Sequence, residues 1–124
     1  MTTYLVVMAG AGLGGLARYV VGNFLTATYG ERFPVGTFFV NVSGCFLIGL
    51  LMTLLTERWQ LNPYWRLFLV VGVLGGYTTF STFGYETWLA VRGGVPAIAL
   101  LNALASVVFG YLAVRIGVVI AGWR

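Results

Sequence analysis

The sequence predicts an all-α membrane protein of four transmembrane helices with a break in the third, and three observations carry that prediction. The 124-residue chain is 60% hydrophobic and only 8% charged, with a mean hydropathy of +0.94, which is far more apolar than a soluble domain. Four stretches are each long enough to cross a hydrocarbon core ~30 Å thick, a task for roughly 20 helical residues, and they leave no chain over for a soluble domain. Within the third stretch, residues 75–83 read Gly-Gly-Tyr-Thr-Thr-Phe-Ser-Thr-Phe. Glycines and hydroxyls in the middle of a hydrophobic span weaken a helix where freed backbone groups cost several kcal/mol, so such a segment persists only when buried in protein or lining a wet cavity. It is the composition of a transport path rather than of an anchor.

The four spans form a single domain, residues 1–124, at about 4–26, 34–55, 63–91 and 96–122. The first ends at a polar, turn-prone run from Thr28 to Phe33. Residues 1–7 carry no charged side chain, and the glycine-rich run after them reaches Arg18 without a small-residue cleavage site, so this is a retained helix rather than a signal peptide. Pro34 opens the second span, because proline at a first helical position forfeits no hydrogen bond. Asn62-Pro63 repeats the device for the third, as a cap followed by a first-turn proline. Arg92-Gly93-Gly94 turns the chain and Pro96 opens the fourth. Trp59, Tyr64, Trp65, Trp88 and Trp123 all fall near these borders, where an aromatic belt belongs.

The formal net charge of +4 comes from seven Lys and Arg against three Asp and Glu. All seven are arginines, scattered singly, which disfavours nucleic acid as a partner. One cysteine and no histidine exclude a zinc or haem cluster and an intrachain disulfide; Cys45 reads as a small packing residue. Arg58, Arg66 and Arg124 lie on the side of the termini, Arg32 and Arg92 on the other. So weak a bias permits insertion both ways up. Four helices barely enclose a polar path, whereas two copies frame one between them, so an antiparallel, dual-topology homodimer is expected.

Several polar residues within the spans need a reason. Gly10, Gly14, Arg18 and Gly22 share one face of the first span: the glycines suit close helix packing, and Arg18 either snorkels to a surface or draws anions into a vestibule. Thr37, Asn41 and Gly44 share a face of the second. The Asn41 amide has two N–H donors that serve either an interhelical hydrogen bond or a permeating anion. Asn102, Ser106 and Gly110 form a similar stripe in the fourth. In the third, unwinding around residues 75–79 would leave carbonyls without amide partners, an arrangement able to hold Na⁺, while a kinked helix repaired by Thr78 and Thr79 is the alternative. Phe80 and Phe83 then share one face, and their positive ring edges could solvate an anion without a full charge. The role of Glu86 stays open.

Together these residues resemble the Fluc family of bacterial fluoride channels, also called CrcB. The likeness covers the whole chain: Gly14-Gly15-Leu-Ala-Arg18, Gly36-Thr37 through Asn41-Val-Ser-Gly44, and the long motif from Gly75 to Phe83. The resemblance implies a passive fluoride channel in the bacterial inner membrane, working as an antiparallel homodimer with two fluoride pathways and one structural Na⁺. By position, Phe80 and Phe83 would line the pathway, Asn41 would donate to fluoride, and Gly75 and Thr78 would give backbone carbonyls to the Na⁺. Arg18 would stand at the vestibule, with Ser81, Thr82 and Ser106 as a polar track. Gly84 departs from the serine common after the motif, and Asn102 falls where members vary. The implied role is export of fluoride down its gradient to protect the cell, without enzymatic chemistry. A small dual-topology multidrug or cation exporter is the rival; it wants a buried carboxylate, and only Glu86 could serve.

Overall fold

A computed structural model describes residues 1–123. Arg124, counted above for orientation, lies outside the described residues. The chain is all helical in its regular structure: α1 (Thr2–Tyr29), α2 (Val35–Thr53) prolonged by a π-helical turn (Leu54–Arg58), then α3 (Pro63–Arg66), a π-helical stretch (Leu67–Leu74), α4 (Gly75–Tyr77), α5 (Ser81–Arg92) and α6 (Pro96–Gly122). These elements compose four runs long and apolar enough to cross a membrane, Thr2–Tyr29, Val35–Arg58, Pro63–Arg92 and Pro96–Gly122. The chain is therefore a multi-pass membrane protein.

The helix starts follow the local chemistry. Asn62 Oδ1 accepts the Tyr64 N–H at 3.0 Å while Pro63 takes the first position of α3. Pro96 opens α6, and the turn before it passes through Gly94 at φ +81°. Pro34 stands just before α2 rather than in its first turn, and its carbonyl accepts the Phe38 N–H at 3.0 Å.

Backbones approach one another through glycine. A side chain at Gly14 would run into the backbone of Val73 and Tyr77, and one at Gly76 into the backbone of Ala11, so α1 lies directly on the first half of the third span. Gly49 and Gly117 play the same part between α2 and α6. Val40, Leu74 and Tyr77 form the small buried core between these layers, with Val21, Leu47 and Leu51 packed against it.

The break in the third span takes in only the end of residues 75–79 and runs on to Phe80. Gly75 to Tyr77 are still helical, and the chain departs at Thr78, with ψ 156°, before α5 starts at Ser81. Gly75 and Gly76 are thus not where the helix gives way: Gly76 is small because α1 presses on it. The break occurs one turn on, where α2 supplies a polar partner to the backbone.

Candidate functional site

That partner is Asn41. Its Nδ2 donates to the Thr79 carbonyl and its Oδ1 accepts the Thr79 N–H, each at 2.8 Å. The amide side chain thereby stands in for a neighbouring peptide group and satisfies both backbone atoms of a residue that no helix serves. Both readings of Asn41 bear on the same side chain: it makes the interhelical bond and also lines the cavity beside the break.

Two consequences follow for the carbonyls upstream. A continuous helix would give the Thr79 N–H to the Gly75 carbonyl and the Thr82 N–H to the Thr78 carbonyl. The first goes to Asn41 Oδ1, and the second goes to Thr79 Oγ1 at 3.3 Å. Gly75 and Thr78 thus lose their helical partners to side chains. The Thr78 hydroxyl turns back to the Leu74 carbonyl at 2.9 Å, and its methyl fills the space that the absence of a side chain at Gly44 leaves.

A cavity of about 430 Å³ opens beside the break, walled by Asn41, Gly75, Thr78, Phe80, Phe83 and Ser106 among others. The two phenylalanine rings stand 5.6 Å apart at 38° to one another. Phe80 is 83% exposed in the single chain, and Gly75 is exposed as well, so this wall of the cavity is incomplete.

The remaining residues singled out in the sequence are divided between this cavity and its surroundings. Arg18 and Thr82 line a second cavity of about 370 Å³ together with Thr37, Thr79 and Glu86. Ser81 lies exposed, 3.4 Å from the Thr79 hydroxyl, and lines neither cavity. Ser106 reaches the first cavity, but its hydroxyl donates to Asn102 Oδ1 at 3.3 Å. Glu86 accepts from the Thr37 hydroxyl at 2.9 Å through Oε1, while its buried Oε2 has no hydrogen-bond partner among the described residues.

Three residues carry more here than their sequence context suggested. Thr79 is the hub of the break, bonded to Asn41, Thr82 and Ser81. Tyr77 places its hydroxyl 2.9 Å from Ser43 and so ties α4 to α2. Thr87 receives the Asn102 amide at 3.0 Å. For Thr79 the signal was the paired threonines after two glycines; a lone helical threonine such as Thr87 offers none.

Fold and site together define a polytopic membrane protein with two small cavities beside a helix break, one mostly apolar and one of mixed lining, and no extramembranous domain among the described residues. Residues 5–118 match the family described as CrcB-like protein, Camphor Resistance (CrcB), and the chain belongs to that family. A relative from Solibacter usitatus is 60% identical over 118 residues, 95% of this chain and 97% of the relative. One from Acidobacterium capsulatum is 50% identical over 117 residues, 94% of each chain. A third, from Chloroflexus aurantiacus, is 44% identical over 125 residues, 99% of this chain and 98% of the relative. All three are named fluoride-specific ion channel FluC.

Proposed function

We propose that this chain is a fluoride-selective channel of the bacterial inner membrane that lets F⁻ leave the cell passively down its electrochemical gradient. The observation that carries the reading is the cavity at the break, where one amide and two phenylalanine rings meet in a member of a family whose relatives bear that name. Fluoride is small and strongly hydrated, so a dry path must replace its water with donors and positive ring edges. Asn41 spends one N–H on Thr79 and keeps the other for an anion in the cavity. Phe80 and Phe83 add ring edges that attract without the full charge that would hold the ion too tightly for conduction. Arg18 and Thr82, in the second cavity, serve as the aqueous approach.

The freed carbonyls of Gly75 and Thr78 suit a structural Na⁺, since a hard cation wants oxygen donors and these have lost their amides. An ion there supplies a fixed positive charge at the break. The open side of the first cavity, with Phe80 and Gly75 uncovered, supports closure by a second copy in an antiparallel homodimer. Cysteine labelling that found every terminus on one side of the membrane would remove that dimer.

The test of function is ion release from liposomes holding the purified protein. Fluoride should leave quickly while chloride stays; equal loss of both, or retention of both, would refute the channel.

A further inference from the structure

The second half of the third span is loosely covered: α5 has no fully buried residue, in contrast to α1, α2 and α6. The break also cuts it from the backbone hydrogen bonds of α4. Its orientation must come from side chains, and a chain of three hydrogen bonds supplies one tie. Ser106 donates to Asn102 Oδ1 at 3.3 Å, Asn102 Nδ2 donates to Thr87 Oγ1 at 3.0 Å, and Thr87 donates to the Phe83 carbonyl at 2.8 Å.

Valence fixes the direction of this chain. Thr87 has one proton and spends it on Phe83, so it can only accept from Asn102; the Asn102 amide must therefore turn its N–H to α5 and its oxygen to Ser106. Asn102 is itself 2% exposed and sits between the two helices. A buried amide whose donor and acceptor both find partners in one orientation holds those partners in register.

We propose that Asn102 is a positioning residue of the permeation path: acting through Thr87, it sets the rotation of α5 on α6 and thereby the place of the Phe83 ring in the cavity wall. This rests on the channel reading above. Asn102 itself lines none of the three cavities described.

Single-channel recording in planar bilayers separates positioning from mere stability, because a destabilised protein gives fewer channels but not smaller ones. Asn102→Leu keeps the branching and heavy-atom count of the side chain and removes both bonds; its unit fluoride current should fall about tenfold, as the loss of a buried hydrogen bond would give. Thr87→Val cuts the same link from the α5 side and keeps the test open should the leucine variant not assemble. It should lower the unit current alike, Thr87→Ser should restore it, and the double variant should be no worse than either single one. Wild-type unit current in Thr87→Val, or in an assembled Asn102→Leu, would overturn the proposal while leaving the channel intact. A wild type without fluoride current would overturn the channel reading, and this inference with it.

Discussion

The two halves of the third span are held by opposite means. Before the break, Leu67–Leu74 and α4 bury Gly72, Leu74 and Tyr77, and lie so close to α1 that glycine is required on both sides. After it, α5 has no fully buried residue and is tied by Thr87 to Asn102 and by Glu86 to Thr37. Between membrane helices the lipid offers no hydrophobic drive, so close packing and hydrogen bonds are the available adhesives. This span uses one adhesive for each half. The lesson is that the half pressed on α1 should fail when atoms are added, and the half facing the cavity when polar atoms are removed.

The largest effect should come from adding bulk on the packed side. Gly76→Val would drive its side chain into the Ala11 backbone, which cannot step aside. Overpacking of this kind costs on the order of 1–3 kcal/mol or more, and little monodisperse protein should survive size-exclusion chromatography in detergent. A normal yield would show that α1 is not held where it lies.

Next comes the junction. Asn41→Leu leaves the Thr79 N–H and carbonyl unpaired, each at about 1–3 kcal/mol, and removes the amide donor from the cavity. Fluoride release from liposomes should fall well below a tenth of the wild-type rate. Retained flux would strip Asn41 of both of its parts. Phe80→Ile changes the cavity wall and leaves the core of the chain untouched, since Phe80 is no part of that core. It should assemble normally and conduct about tenfold less, one ring-edge contact being worth roughly a kcal/mol. An unaltered rate would exclude its ring from the path.

The smallest effect separates Ser106 from the residues around it. Its proton already belongs to Asn102, so Ser106→Ala should leave the unit fluoride current within about twofold, the loss being a single long hydrogen bond at an edge. A collapse as deep as that of Asn41→Leu would return Ser106 to the path as an anion donor.

Much of this was legible in the sequence, for reasons of length and cost. Membrane-crossing helices need uninterrupted apolar runs, and Asn62-Pro63 and Pro96 announce their own helix starts, so the four spans could be read directly. The motif from Gly75 to Phe83 pointed to a break or a kink because so many hydroxyls and glycines together weaken a helix at that depth. Its position was less readable. Glycine serves both a weak helix and a close crossing, and sequence does not say which; at Gly76 it is the crossing. Asn41 and Thr79 are 38 positions apart, and nothing in either stretch declares that one amide answers the other. Ser106 was singled out for the path, yet the partner that takes its proton lies one turn away on its own helix. Thr87 was silent because a threonine in a helix ordinarily bonds its own backbone, which it also does here.

The π-helical stretch Leu67–Leu74 has a bearing on all of this. Closing each loop from i to i+5 lodges extra chain in the same height of helix. Gly76, Thr78 and Asn41's partner are therefore aimed by a surplus located upstream, much as a shim sets a hinge. Remove one residue there without the coil tightening to compensate, and everything beyond it turns by about 100°. Gly76 would then leave α1 and Thr78 would leave Gly44. We expect deletion of Val71, an exposed residue with no polar duty, to abolish fluoride release as thoroughly as any change in the cavity. Vesicles of that variant still releasing the anion would show that the widened coil sets no aim.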